Sequence, residues 1–259
     1  MKPALGLPAL LSLLACGSPT QPEPLPLSAL ASRSVSFVLN DTDVLNDTDV
    51  LGDVPLPGGH RLTLVVEDLP DGACTRLQEG ITATLDGEPM RLAPGGVEDT
   101  PGRTQCLQPT AVYDFDPAAW AAAPVEELEL LLQQGGAAPV RLRILGGKAK
   151  RRFVVEPPTA AGTLRAGETR LYRYEPASDA GGSASATLHQ PGSSVGGELS
   201  TVLEPDGRVR VQVPATVPAG NQELHLTRTA PAQLLACEGV AACEGTLFHT
   251  EALPVDIVR

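Results

Sequence analysis

The segment Leu203–Val213, with the sequence LEPDGRVRVQV, combines a turn with a strand. Asp206 and Gly207 tolerate the positive φ angles that a tight hairpin turn requires. From Arg208 to Val213 polar and apolar residues alternate, which places the valines on one face of an extended chain. A half-buried strand after a hairpin turn is typical of antiparallel sheets, so this segment predicts an all-β fold.

Similar strand-like runs recur on both sides of this segment. In the N-terminal half they are Ser34–Leu39, Arg61–Glu67, Ile81–Leu85, Glu88–Leu92, Thr110–Phe115, Leu128–Gln133 and Val140–Leu145. In the C-terminal half they are Arg170–Tyr174, Ser183–His189, Glu198–Leu203, Arg208–Val213, Gln222–Thr227 and Thr246–Thr250. Asp86-Gly87 predicts a second hairpin, and Asp116-Pro117 predicts the N-cap and first position of a short helix over Ala118–Ala123. Many short strands at this spacing indicate β-sandwiches.

The composition agrees with this fold and excludes some functions. The 259 residues include 26 Gly and 25 Pro, which favour short strands and turns over long helices. A hydrophobic content of 42% is enough to bury a core. The net charge of -12 argues against nucleic acid as the main partner, because phosphate binding needs a positive field.

The N-terminus has the pattern of an export signal. Lys2 precedes an apolar run, Ala4–Ala15, that is shorter than the ~20 residues of a transmembrane helix. The run ends in Leu13-Leu14-Ala15-Cys16, which resembles the lipobox of bacterial lipoproteins. The resemblance implies acylation of Cys16, palmitate included, and, since Gly17 follows Cys16, attachment to the outer membrane on its periplasmic or surface face. The alternative is an ordinary secretion signal in which Cys16 has no role.

These features divide the chain into four segments. Residues 1–15 are predicted to be the signal peptide, and residues 16–32 the lipidated cysteine and a disordered, Pro-rich tether. Residues 33–156 and 157–259 are predicted to form two β-sandwich domains, with the boundary at Glu156-Pro157-Pro158. The strands from Leu203 to Leu226 resemble bacterial immunoglobulin-like modules, which implies two such domains in tandem.

Four cysteines remain after Cys16, an even number in a chain predicted to be exported. Four cysteines allow three pairings. We predict Cys74 with Cys106 and Cys237 with Cys243, because each pair then lies within one proposed domain. No CxxC, HxH or HxxxH spacing is present, so we predict no metal site and no cofactor.

Two further motifs have a functional and a structural interpretation. Gly192–Gly196 fits the Gly-x-Ser-x-Gly pattern of serine hydrolases around Ser194, with Asp206, His225 and His249 following it. The residues after it favour a strand instead of the required helix, so we predict a loop. Residues 40–51 repeat Asn-Asp-Thr-Asp-Val-Leu twice, which could coordinate Ca²⁺. The EF-hand spacing fails, and we predict a solvated acidic loop.

The segment Arg141–Arg152 holds six of the 19 basic residues. The six are Arg141, Arg143, Lys148, Lys150, Arg151 and Arg152. They could bind an anionic glycan or lipid phosphates. We favour a hairpin whose charged outer face opposes edge-to-edge aggregation, with Leu142 and Ile144 pointing inward. Glu223 and His225 share a strand face, where exposed polarity is the simpler interpretation.

Together these patterns predict a lipid-anchored bacterial envelope protein with a non-enzymatic binding or structural role. Its expected partners are the membrane, through the lipid, and an envelope protein or anionic glycan. The alternative is a secreted serine hydrolase that uses Ser194. The eight aromatic residues are about the number that two cores consume, so no aromatic platform for sugars is expected, and Trp120 is predicted to fill a core.

Overall fold

The computed structural model describes residues 21–42, 50–51, 54–55, 59–67, 74–100, 103–122, 127–157, 162–177, 179, 181–190 and 196–259. The predicted signal peptide, Cys16, Ser194 and most of the Asp-rich repeat lie outside these residues.

The strands of the N-terminal part are β1 (Glu23–Leu25), β2 (Ser34–Thr42), β3 (Val50–Leu51), β4 (Val54–Pro55), β5 (His60–Val66), β6 (Thr75–Leu77), β7 (Thr82–Leu85), β8 (Glu88–Pro89), β9 (Arg91–Ala93), β10 (Gly96–Thr100), β11 (Arg103–Leu107), β12 (Thr110–Asp114), β13 (Glu127–Gln133) and β14 (Val140–Leu145). The later strands are β15 (Arg152–Glu156), β16 (Thr163–Arg165), β17 (Thr169–Glu175), β18 (Ser183–His189), β19 (Gly196–Leu203), β20 (Arg208–Gln212), β21 (Gly220–Pro231), β22 (Gln233–Glu238) and β23 (Ala242–Val258). The helices described are a 3₁₀ helix at Leu27–Ser32 and α1 at Pro117–Ala122. The prediction of an all-β fold is confirmed.

The first sandwich has two sheets around one core. One sheet has the order β23-β2-β5-β12-β9, and the other has the order β22-β14-β13-β7-β8. Alternate residues of β2 and β5 and of β13 and β14 point into the core, where Phe37, Leu64, Leu130 and Leu142 are buried. Each such side chain contributes roughly 1.5–3 kcal/mol by leaving water. Two sheets that face each other across a core form the sandwich architecture of immunoglobulin-like domains.

The second sandwich is built in the same way. Strands β16, β23, β21 and β18 form one layer, β20, β17 and β15 form the other, and β19 pairs with β18 at its start and with β20 at its end. Its separate core includes Tyr172, Val211 and Leu226.

Strand β23 belongs to both sandwiches. Its residues Ala242–Thr250 pair in parallel with β2, and its residues Thr246–Ile257 pair antiparallel with β21. Strand β22 also pairs with β14 of the first sandwich. The segment predicted as the second domain, 157–259, therefore contributes strands to the first sandwich, and the two sandwiches share one continuous sheet.

The N-terminal boundary also differs from the prediction. Residues 16–32 were expected to be a disordered tether, yet β1 pairs with β6 and the 3₁₀ helix follows it. Leu25, Leu27 and Leu30 are buried in the first core, so this leucine-containing part of the segment packs instead of remaining extended. The first sandwich begins at Glu23, ten residues before the predicted boundary at residue 33.

The local predictions for the Asp86-Gly87 turn and for the helix are confirmed, whereas in the hairpin between β19 and β20 only Gly207 of the pair Asp206-Gly207 has a positive φ, 82°. Asp86 and Gly87 have φ angles of 50° and 84°, as a two-residue hairpin turn requires. The Ala118 amide donates to Asp116 Oδ1 at 2.9 Å, which is the expected N-cap of α1.

Candidate functional site

A cavity of about 240 Å³ lies beside the shared sheet, and we refer to it as the junction cleft. Its lining combines aromatic, cationic and buried polar side chains from four parts of the chain. The lining residues are Asp41, Phe115, Pro117, Ala118, Trp120, Lys148, Ala149, Lys150, Arg151 and His249.

The base of the cleft is formed where three neighbouring strands place Asp41 between two histidines. Asp41 of β2 is in register with His60 of β5 and with His249 of β23. The His60 Nδ1 lies 2.8 Å from Asp41 Oδ1. The His249 Nδ1 lies 2.8 Å from the Asp41 backbone oxygen and 3.2 Å from Asp41 Oδ2. Pairing of the strands therefore brings together residues that are 208 positions apart.

The charges and hydrogen bonds at the base of the cleft favour the charged form of His249. Burial opposes the charge on His249, but the hydrogen bond to Asp41 and the nearby negative charge of Glu251, 3.9 Å from Nε2, outweigh it and raise its pKa to about 9. Burial also acts to raise the pKa of Asp41, but hydrogen bonds with His249 and His60 outweigh it, and the pKa is lowered. At neutral pH the pair is an ion pair, with His249 only 4% exposed.

Asp41 corrects one prediction from the sequence. It is the first Asp of the repeat that we expected to be a solvated loop, but Asn40, Asp41 and Thr42 are buried at the end of β2. The remaining residues of the repeat from 43 to 49 lie outside the described residues.

Arg151 organises the loop that carries the two lysines of the cleft. Its buried guanidinium donates to Asp179 Oδ2 at 2.9 Å and to the backbone oxygens of Gly146, Gly147 and Ala149 at 3.1–3.3 Å. Because the guanidinium of Arg151 donates hydrogen bonds to several backbone oxygens of the loop, it holds that loop in one conformation. Arg151 was predicted as an anion-binding residue, and the structure gives it partners within the protein.

Lys148 and Lys150 lie on this loop, next to an aromatic wall. Lys148 Nζ is 2.5 Å from Asp86 Oδ2 and 5.5 Å from the centre of the Trp120 ring. Lys150 is exposed and has no ion-pair partner among the described residues. The Phe115 and Trp120 rings stack with centres 3.8 Å apart and planes inclined by 4°. Trp120 packs against the core, as predicted, but it also lines the cleft.

The other three basic residues of the predicted cluster are paired on the surface. Arg141 contacts Glu129 and Glu238, Arg143 contacts Glu127, and Arg152 contacts Glu175. The hairpin interpretation of this segment is wrong, because β14 and β15 belong to different sheets. Strand β14 lies between β13 and β22, so its charges do not protect an exposed edge.

The candidate hydrolase residues occupy separate environments. Asp206 is on an exposed turn, where Arg208 lies 2.8 Å from it. The His225 ring stacks on His189 with centres 4.1 Å apart, and burial followed by the charge of His189 lowers its pKa. His225 is thus buried, in contrast to the exposed strand face that was predicted. Glu223 Oε2 is 3.5 Å from its Nε2.

Both predicted disulfides are confirmed. Cys74 bonds to Cys106 of β11, and Cys237 bonds to Cys243 across the connection between β22 and β23. Because β22 and β23 belong to opposite sheets of the first sandwich, the second bond links the two layers. Such bonds are consistent with an exported chain, since disulfides persist in oxidising compartments.

Within the described part of the chain, no three His, Cys, Asp or Glu side chains are grouped so that they could hold a metal ion. Among the described residues, there is also no helix that is long and apolar enough to cross a membrane.

These features define the class of the protein as an all-β sandwich protein with two disulfides. No protein-family model matches the sequence, and no curated protein matches it. Among solved structures the chain is similar to the crystal structure of murine CEACAM1b, with 9% identity and a TM-score of 0.23. The match covers 86% of this chain and 100% of that chain. At this TM-score the similarity supports no argument, so the fold assignment rests on the strands themselves.

The sequence singled out the two lysines and Arg151 as one possible anion-binding cluster and Trp120 as a core residue, but it did not bring these residues together and did not indicate the base of the cleft. Asp41, His60 and His249 are far apart in the sequence, and no local spacing links them. The only available signal was a polar Asn-Asp-Thr directly after the apolar strand Ser34–Leu39, where strand ends commonly carry functional residues.

Proposed function

We propose that this protein is a lipid-anchored bacterial envelope protein with a non-enzymatic role, in which the joined sandwiches recognise another envelope component. The proposal is supported by the lipobox-like sequence that ends at Cys16 and by the two disulfides. Attachment to the outer membrane through acyl chains on Cys16, palmitate included, is part of the proposal.

The observation that carries the recognition role is strand β23. Because this strand is shared, the sandwiches are joined as one body that presents the junction cleft in a fixed arrangement. A preorganised cleft with aromatic and cationic groups is typical of a binding site. Lys150 and Trp120 both line this cleft.

The anchor is tested by replacing Cys16 with Ser. We expect the wild-type protein to remain in the membrane pellet after a high-salt wash and the Cys16→Ser protein to appear in the soluble fraction. The matched control is Ser18→Ala, a nearby substitution that leaves the cysteine intact and should leave the protein in the pellet. A Cys16→Ser protein that stays in the washed pellet would refute attachment through this residue.

The non-enzymatic role is tested with a serine-reactive phosphonate probe. We expect no labelling of Ser194 in the folded protein. Labelling of Ser194 that is lost in Ser194→Ala would favour the alternative, a secreted serine hydrolase.

A further inference from the structure

We propose that the junction cleft binds a carboxylate carried on a ring, with Lys150 facing the carboxylate and Trp120 facing the ring. This ligand class rests on the proposed recognition role and specifies it. Two sources share the chemistry, an acidic sugar residue of a glycan and a small aromatic acid.

The charge of the lining selects an anion. Lys148, Lys150, Arg151 and His249 are cationic, and Asp41 is the one carboxylate of the lining. Asp179 neutralises Arg151, Asp86 neutralises Lys148, and Asp41 neutralises His249. Lys150 is then the cation without a partner among the residues that the structure describes, and it supplies a charge-assisted hydrogen bond for one carboxylate.

A second observation concerns one atom of His249, which also lines the cleft. The Nε2 atom of His249 is buried and has no hydrogen-bond partner within the described residues, and the nearest Glu251 oxygen is 3.9 Å away. With Nδ1 engaged by Asp41, a charged His249 has one remaining N–H donor. Glu251 supplies charge but no hydrogen bond at this distance, and a buried donor without an acceptor is costly, so a ligand acceptor that reaches Nε2 would relieve that cost.

The aromatic side chains and the volume of the cleft indicate the size and shape of the ligand. Phe115 and Trp120 stack in parallel, Lys148 Nζ lies 5.5 Å from the centre of the Trp120 ring, and Trp120 is only partly buried, so the part of its ring that remains uncovered can contact a ligand. A cavity of about 240 Å³ has room for one ring with its substituents. The ligand is therefore a single ring, either free or at the end of a chain.

Another cavity on the second sandwich provides a contrast. It is lined by Arg173, Arg208 and Arg228 among others. Carboxylates already pair with Arg173 and Arg208, and backbone oxygens accept from Arg228. This cavity is larger, but its cations are committed, which is why we place the ligand in the junction cleft.

Intrinsic fluorescence tests the proposal, because Trp120 is the only tryptophan of the chain. The purified full-length protein is titrated with glucuronate and, separately, with benzoate, and calorimetry is run in parallel. Methyl glucoside and benzamide serve as uncharged controls. We expect saturable binding of at least one acid, weakened by added salt, and no binding of its uncharged control. The acid that binds more tightly identifies the source.

Two matched variants locate the charge. Lys150→Gln removes the cation without a partner, and we expect an affinity about fivefold lower, as for an exposed ion pair. Arg103→Gln removes an exposed cation on β11 that does not line the cleft, and we expect unchanged affinity.

The proposal is overturned if both methods detect neither acid, if an uncharged control binds as tightly as its acid, or if Lys150→Gln binds like the wild type. Failure of the anchor is a separate result. A Cys16→Ser protein that stays in the pellet while glucuronate or benzoate still binds would refute the lipid attachment and leave the ligand class standing.

Discussion

At the scale of single residues, His249 joins the functional cleft to the stability of the fold. It contacts Asp41 of the first sandwich, and it lies two residues before Glu251, which accepts from the Phe153 amide of the second at 2.6 Å. A buried ion pair of this kind is costly to break, because a lone charge would remain in the interior. His249 is therefore both a wall of the cleft and a link between the two sandwiches.

The raised pKa of His249 predicts how stability depends on pH. A folded-state pKa of about 9, against 6.5 for an ordinary histidine, makes a contribution that is complete below pH 6.5 and is lost as pH rises towards 9. The contribution is on the order of 3 kcal/mol. Denaturant unfolding from pH 4 to pH 9 measures it, and His249→Gln should remove this alkaline loss.

The control for this prediction is His225→Gln. Since burial, followed by the charge of His189, lowers the pKa of His225, its effect appears as a loss of stability when pH falls below 6.5. His225→Gln should therefore change the acidic side of the profile and not the alkaline side. An alkaline loss that persists in His249→Gln would contradict our assignment of the charge.

At the scale of elements, Gly245 determines how closely β23 packs on β2. Gly245 is in register with Phe37, and a Cβ at Gly245 would lie 2.2 Å from the Phe37 ring. The missing side chain allows the Phe37 ring to lie across the strand that joins the two sandwiches.

Gly245→Ala is consequently expected to lower the free energy of unfolding by about 1–3 kcal/mol, as overpacking does. Chemical unfolding measures the loss. Gly197→Ala on β19 is the matched control, because a Cβ there meets nothing within 4 Å. Equal effects of the two substitutions would show that Phe37 does not pack against Gly245.

The strands also show how much of the fold can be predicted from the sequence. Strands with a local alternation, such as Val140–Leu145 and Ser183–His189, were predicted with their exact bounds. Only Thr246–Thr250 was predicted for β23, yet pairing with β2 and β21 continues the strand through Gly245 and Pro254. For the same reason only the basic cluster that contains Lys148 and Lys150 could be recognised from the sequence, because it is local, whereas the Asp41–His249 base of the cleft exists only after distant strands pair.

At the scale of the whole molecule, a shared strand predicts cooperative unfolding. Loss of either sandwich would leave one side of β23 without its hydrogen-bonded neighbour, so neither core should melt alone. We expect a single calorimetric transition at neutral pH. Leu130→Ala in the first core and Leu226→Ala in the second should each lower that one transition, at a cost of about 2–5 kcal/mol. Two resolved transitions, each moved by only one variant, would contradict the single body.

The central claim is that this single body recognises an envelope component through the junction cleft. A photo-crosslinking amino acid placed in intact cells at Ala118, which is exposed on the rim of the cleft, tests it most directly. Thr104, exposed on β11 and not part of the cleft lining, is the control position. We predict a covalent adduct with a carboxylate-bearing envelope component from Ala118, diminished by Lys150→Gln, and none from Thr104. No adduct from Ala118, or equal adducts from both positions, would contradict the account.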